Sequence, residues 1–327
     1  MKAIVFDTPG DADVLRYADV PDPQPAADEL LVRVRATAVN RADILQRRGG
    51  YSPPPGASPI LGLELAGEVV QPAGSWQVGD RVMAVVTGGS YAELAVVPAG
   101  MAMRIPEHLS FEQAAAIPEA FLTAYLNLFT LGRLQPGESV LIHAGASGVG
   151  TAAIQLARAA GARIFATAGT ASKLALCRAL GAELAINYKE AVFAEHVRAA
   201  TGDAGVNLLL DFIGAPYWAG NLTALAPYGR LVLIGFLGGA RGQLDLGPVL
   251  SKSLTVTGTT LRRTPLPQKV ALTEAFAAFA LGRFGAGELH PVIDCSFTLE
   301  QAATAQRYVE ANANAGKVVL LVNDAGA

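Results

Sequence analysis

The stretch Ser139–Ala157, SVLIHAGASGVGTAAIQLA, decides the fold. It begins as an apolar run of strand character, bends through Gly145, Gly148 and Gly150, and continues as an alanine-rich helical pattern. After Gly161 comes a second apolar run, RIFATAG, so residues 139–169 read as strand, turn, helix and strand. A helix that starts at such a turn offers unpaired N–H groups and the positive end of its dipole to a pyrophosphate. Gly148 and Gly150 allow backbone and helix to approach closely. In strict G-x-G-x-x-G register the positions are Gly145, Ser147 and Gly150, so the middle glycine is a serine. The strand–helix–strand context makes dinucleotide binding the expectation. The alternative is a tight turn whose small residues serve packing.

Working outward, the segments after Gly150 keep alternating between helix and strand: SKLALCRALG, LAINY, VNLLLDFIG, RLVLIGF and LTVTGTTL. The strands are nearly continuous apolar runs, the pattern of a parallel sheet covered by helices on both faces. Residues 1–100 differ. Short β-rich runs such as LLVRVRATAV, GEVV, DRVMAVV and YAELAVV are separated by Pro and Gly, and YSPPPGASP (residues 51–59) reads as a rigid loop. Ser110 with Gln113 and Thr298 with Gln301 have capping-box spacing and predict helix starts. AFLTAYLNLFTLG predicts a helix ending at Gly132. The C-terminal return has a helix in ALTEAFAAFALG and strands in HPVIDCSF and KVVLLV, and could complete the first domain.

Composition narrows the function. Hydrophobic residues are 51% and charged ones 16% of 327, enough apolar surface for a sizeable core. A net charge of −3 and scattered Lys and Arg argue against an extensive nucleic-acid or anionic-membrane face. Cys177 and Cys295 are expected in core packing. MKAIVFDTPG reads as a strand and not as a signal peptide, so a soluble, cytoplasmic protein is expected, with no membrane span.

NAD sites commonly place an acidic residue near the end of the second strand, where it accepts from the ribose 2′-OH. Here that strand runs out as ATAGTASK, Ala166–Lys173, with no acid. The gap leaves room for a 2′-phosphate, Lys173 supplies a cation and Tyr188 a further donor, so NADPH is favoured over NADH. Lys173 could instead be a solvated first-turn lysine. None of His108, His143, His196 and His290 forms a close ligand pair with another His or a Cys, and no metal site is expected. His143 reads as a satisfied core histidine. Without a Lewis acid the substrate should already be electron-poor, as quinones and activated enones are.

These residues carry a resemblance. AVNRADILQRRGGYSPPPG, LGLELAGEVV, GDRVMAV, AAAIPEAFLTAY, GESVLIHAGASGVGTAAIQLA, SKLALCRALGAELAINY and EANANAGKVVL together resemble the zinc-independent quinone oxidoreductases of the medium-chain dehydrogenase/reductase superfamily. The likeness is zeta-crystallin-like and closest to the tumour-suppressor-inducible branch. Where zinc-dependent members have a catalytic Cys and a His before Glu, this chain has Asn40 and Leu63.

The resemblance implies an α/β protein with a GroES-like β-rich catalytic domain (1–119 and 260–327) and a Rossmann doubly wound parallel-sheet domain (120–259). Asn40, Asp43 and Tyr51 match cleft positions near the nicotinamide or substrate; Tyr51 either bonds a quinone oxygen or packs against the prolines. Thr123 matches a position near the nicotinamide, or else faces the helix interior. Glu64 matches an acid that supports the zinc site of relatives, and is more simply structural here. Ala146, Ser147, Gly148 and Val149 match the pyrophosphate turn, and Gly169, Lys173 and Tyr188 the 2′-phosphate pocket. Phe236, Leu261, Asn314 and Lys317 match cofactor-facing positions, although Lys317 could merely open a surface strand. Arg262 either meets acidic substrate groups or is solvated.

The implied activity is metal-free hydride transfer from NADPH to a quinone, in some relatives as net one-electron turnover with semiquinone. Reduction of an enone or enoyl thioester is the alternative in the same class. RNA-binding or structural crystallin-like service is the alternative outside it, disfavoured by the absence of a basic stripe. Pairing of residues 254–261 across a two-fold axis implies a homodimer, with a tetramer as the other arrangement.

Overall fold

In the computed structural model, which describes residues 1–322, the strand Ser139–Ile142 lies inside a six-stranded sheet. Its neighbours, edge to edge, run Leu184–Asn187, Arg163–Ala168, Ser139–Ile142, Val206–Asp211, Leu225–Leu233 and Thr255–Gly258, and every pairing is parallel. Numbered within this sheet by chain position the order is 3-2-1-4-5-6, the doubly wound Rossmann arrangement. The order reverses between Ser139–Ile142 and Val206–Asp211, so ligands are expected beyond the C-terminal ends of those two strands. Val140, Leu141, Ile142, Leu208, Leu209 and Leu210 are fully buried, which is why these strands read as unbroken apolar runs. The last strand is shorter than the 254–261 expected. Ser253 has a positive φ of 52° before it, and the chain enters a 3-10 turn at Leu261–Arg263 after it.

The chain divides into two compact units, Thr123–Leu261 around this sheet, and Met1–Leu122 with the residues from Arg262 onward. The second unit is built on a seven-stranded sheet in which Glu29–Ala38 pairs antiparallel with Glu64–Gln71, Leu94–Pro98 and Lys317–Leu321. Strand Lys317–Leu321 in turn pairs parallel with Ile293–Thr298, so the C-terminal return is part of this sheet. Buried Arg47 fastens it further, donating to Gln306 Oε1 at 2.9 Å and Glu310 Oε1 at 2.6 Å.

Both capping boxes form: Ser110 Oγ accepts from Gln113 N at 3.1 Å, and Thr298 N donates to Gln301 Oε1 at 3.1 Å. The predicted helix ending at Gly132 is present, but its last stretch, Leu126–Leu131, is wound as a π-helix after Pro118–Tyr125. Cys177 is buried as expected, whereas Cys295 is partly exposed. Among the described residues no helix is long and apolar enough to cross a membrane.

Candidate cofactor and acceptor sites

The glycine turn links the first strand of the parallel sheet to the helix Gly148–Ala159. Gly145 N donates to Thr167 O at 2.8 Å, which ties the turn to the second strand. A Cβ on Gly145 would stand 2.9 Å from Ala166 Cβ and 3.0 Å from Cys177 Sγ. One on Gly150 would stand 2.3 Å from Ala144 O, so the helix can begin this close only without a side chain there. Ala144 holds a φ of 47°, a strained conformation for a residue with a Cβ and a mark of a functional turn.

Ser147 caps the helix by accepting from Gly150 N at 3.0 Å. The amides of Gly148 and Val149 find no acceptor among the described residues. They are the two free donors at the positive end of a twelve-residue helix, which suits a pyrophosphate. Ser147, Gly148 and Val149 are partly exposed, while Ala146 is buried and closes the turn from beneath.

His143 beneath this turn is a satisfied core residue. Its Nε2 lies 2.8 Å from Asn221 Oδ1 and its Nδ1 2.9 Å from Thr167 Oγ1. An amide oxygen can only accept, so Nε2 carries the proton. Burial lowers the His143 pKa to about 4 and keeps the ring neutral. Asn221 also donates to Asp211 Oδ2 at 3.0 Å, and Asp211 accepts from Ile213 N at 2.6 Å, which shapes the loop at the end of the Val206–Asp211 strand.

Gly169 and Tyr188 are brought together, and Lys173 stands in the first turn of the helix that follows Gly169. A Cβ on Gly169 would lie 2.7 Å from the Tyr188 hydroxyl, so a side chain there would push the Tyr188 ring aside. Thr170 caps the helix Ala171–Leu180 and accepts from Lys173 N at 3.3 Å, placing Lys173 in its first turn. Tyr188 is 44% exposed, so its hydroxyl is within reach of a ligand. Farther along the sheet Phe236 is exposed, with Cδ1 2.8 Å from where a Gly214 Cβ would be, and Leu261 is buried. Thr123 is buried, and its carbonyl accepts from Asn127 Nδ2 at 2.7 Å, just before the π-helical stretch.

The remaining residues belong to the other unit and centre on Glu64, which is completely buried. Lys317 Nζ donates to Glu64 Oε1 at 2.7 Å and to Asn40 Oδ1 at 2.8 Å, with a longer bond to Val39 O at 3.3 Å. Asn40 Nδ2 donates to the same Glu64 oxygen at 2.8 Å, and Glu119 N to the other at 2.8 Å. Lys317 is therefore no surface residue; it is buried and commits its three protons within the network, so it can position Asn40 but offers a ligand no further donor. Asn314 donates from Nδ2 to Gly316 O at 2.7 Å, which leaves its oxygen available.

Asp43, also buried, accepts from Asn40 N at 2.8 Å, Gly62 N at 3.1 Å and the Tyr91 hydroxyl at 3.2 Å. Burial raises its pKa to about 6. Its oxygens hold the start of the helix Arg41–Arg47 against the loop at Gly62, which makes it a framework residue.

Sequence reasoning missed Glu119. Burial, reinforced by the charge of Glu64, pushes its pKa up to about 8. An acid directly after a proline reads as an ordinary first-turn residue, and nothing local says that its carboxyl turns inward. Arg262 is a second surprise. It is 5% exposed, not solvated, and its guanidinium donates twice to Thr87 O, at 2.9 and 2.7 Å. It also lies over the half-buried Tyr51 ring at 5.3 Å. Among the described residues no group of three or more His, Cys, Asp or Glu is arranged to hold a metal ion.

Comparison with known proteins agrees with this architecture. The family described as alcohol dehydrogenase GroES-like domain matches residues 26–107, and the family described as zinc-binding dehydrogenase matches residues 148–278. The quinone oxidoreductase of Rattus norvegicus is 30% identical over 98% of this chain and 98% of its own length. A mycocerosic acid synthase-like polyketide synthase of Mycobacterium tuberculosis is 36% identical, but the chain spans only 15% of that protein's length.

Among solved structures, Escherichia coli quinone oxidoreductase complexed with NADPH superposes with a TM-score of 0.89 at 30% identity, covering 98% of this chain and all of that one. A structure described as an NAD-dependent alcohol dehydrogenase superposes with a TM-score of 0.88 at 34% identity, covering 99% of this chain and all of that one. Fold and turn define a medium-chain dehydrogenase/reductase, an oxidoreductase architecture. Within that superfamily the chain belongs to the zeta-crystallin-like quinone oxidoreductases.

Proposed function

We propose that this protein is a metal-free, NADPH-dependent quinone oxidoreductase. The observation that carries the reading is the grouping of Gly169, Lys173 and Tyr188 at a strand end that bears no acid. A 2′-phosphate would meet a cation and a hydroxyl there, and no carboxylate to repel it. The unpaired amides of Gly148 and Val149, with Ala146 and Ser147 around them, would hold the pyrophosphate. Thr123, Phe236 and Leu261 would face the nicotinamide, and Asn314, in the other unit, would offer its amide oxygen to a ligand there. When bound, NADPH supplies a hydride from nicotinamide C4.

The protein's own contribution is to hold the acceptor in place and exclude water from it. The Tyr51 hydroxyl would donate to an acceptor oxygen. Asn40, fixed by Lys317 and Glu64, would present a steady polar edge beside it. Glu64 already has a cation in the Lys317 ammonium, which supports chemistry without a metal. An electron-poor acceptor yields a delocalised anion, so water is a sufficient proton source. Reduction of an enoyl thioester is the second reading, favoured by the 36% identity to a polyketide synthase segment. The edge strand Thr255–Gly258 and the 86% exposed Leu250 nearby support a homodimer, with a tetramer as the alternative; light scattering decides between them.

Initial rates test the main reading. NADPH and NADH are each paired with ortho-quinones, para-quinones and a crotonyl thioester, with and without a chelator. Quinone reduction with NADPH preferred at least about tenfold is the expected result, from one charge-assisted contact to the 2′-phosphate. A preference for NADH removes the 2′-phosphate assignment. Turnover of the thioester alone transfers the activity to the second reading, and inhibition by the chelator contradicts the metal-free chemistry.

A further inference from the structure

One cavity of about 1140 Å³ lies wholly within the unit that carries Tyr51. The proline loop from Ser52 to Ile60, the turn Thr87–Gly89, Arg262 and Lys269 contribute to its wall. Both cations are more than nine-tenths buried, at 5% and 6% exposure. Arg262 is pinned by its two bonds to Thr87 O, yet its Nη1 is buried with no hydrogen-bond partner among the described residues. Lys269 Nζ likewise makes no hydrogen bond there, and the Arg262 charge adds to the burial that depresses its pKa. An unpaired buried guanidinium N–H is costly, and two desolvated cations on one wall repel each other.

The nearby acids offset this charge only through space, and neither Asp43 nor Glu119 makes a hydrogen bond to Arg262 or Lys269. Asp43 already accepts from Asn40, Gly62 and Tyr91. Glu119, pushed up to about 8, carries little charge at neutral pH. The exposed Arg263 adds a third cation to the rim. The wall is thus short of one anion and has two donors ready for it.

We infer that this cavity binds a carboxylate or similar oxyanion carried by the electron acceptor, with Arg262 Nη1 and Lys269 Nζ as the donors. The inference rests on the acceptor-reducing reading above and narrows it to acceptors with an acidic substituent. The two buried bases select the anion, while the proline loop gives an apolar wall to the ring that bears it.

A matched pair of 1,4-naphthoquinones, one with a 2-propionate and one with a 2-propyl substituent, tests it, together with the non-reducible 3-(2-naphthyl)propanoate in calorimetry. The wild type should favour the propionate in kcat/KM by about tenfold to hundredfold, the range of one or two charge-assisted bonds. Arg262→Gln should remove most of that preference and weaken naphthylpropanoate binding in parallel. Lys269→Gln should do the same and guards against a folding defect in the arginine variant. Equal kcat/KM for the two quinones in the wild type, or a preference retained in both variants, overturns the inference. If neither quinone is reduced, the quinone reading fails and calorimetry alone judges the site: binding lost in the variants upholds it, and binding unchanged refutes it.

Discussion

The two units make their sites in opposite ways. In the parallel-sheet unit most of the residues proposed to face the cofactor lie close together in short segments. Ser147, Gly148 and Gly150 act within one turn, and Gly169, Thr170 and Lys173 within the next strand–helix junction. In the GroES-like unit the corresponding features are side chains from remote parts of the chain. Asn40 meets Glu64 across 24 positions, Glu119 meets it across 55, and Lys317 across 253. A site of the first kind tolerates changes elsewhere, because its geometry is set by local hydrogen bonds. A site of the second kind depends on the whole sheet, and in return can hold charges away from water.

The largest expected effect bears on that dependence. Lys317→Met leaves Glu64 buried without its cation, which should cost about 3–5 kcal/mol of unfolding free energy. Urea denaturation measures this. The double variant with Glu64→Leu should recover much of the loss, since replacing both partners by apolar groups removes the stranded charge. A loss under about 1 kcal/mol in the single variant would mean that the pair contributes little beyond a surface ion pair.

Next in size is the local site. Lys173→Ala should raise the KM for NADPH about tenfold to hundredfold, and hardly alter that for NADH. Equal changes with both cofactors would return Lys173 to an ordinary first-turn lysine, and the contrast between the units would lose its functional half.

Glu119 sharpens the comparison through pH. Its folded-state pKa of about 8 lies above the ordinary 4.5. Between those values the folded protein keeps a proton that the unfolded chain has released, so the contribution to stability is full below 4.5 and is lost as pH rises through 8. Glu119→Gln has no such slope. Relative to wild type it should be near neutral at pH 4.5 and stabilising at pH 8.5 by on the order of 2 kcal/mol, discounted for partial exposure. Denaturation curves at the two pH values give the answer, and parallel curves would place the Glu119 carboxyl in water.

The smallest effect belongs to Tyr51. Tyr51→Phe should slow quinone turnover several-fold, within the roughly 0.5–1.5 kcal/mol of one neutral hydrogen bond. An unchanged rate would leave the ring only its place beneath Arg262.

The history of individual residues shows what was legible. Ser110 with Gln113 and Thr298 with Gln301 were readable because a capping box needs only four consecutive residues. His143 was readable as a core residue because it ends an apolar strand. Lys317 was not, since a lysine before VVLL looks the same whether the strand starts at the surface or under Glu64. Arg262, Lys269 and Glu119 escaped for the same reason. Each has an ionisable side chain whose surroundings are set by the packing of distant elements and not by its own segment.

The amino-acid sequence by itself determined the parallel sheet, the nucleotide turn and the absence of an acid after the second strand, because apolar periodicity and glycine placement act over a few residues. Only the tertiary structure decided which charges leave water and which partners they find there. Burial is a property of the assembled sheet, and the Lys317–Glu64 pair and the unpartnered Arg262 Nη1 come into being only when chain segments far apart in sequence meet.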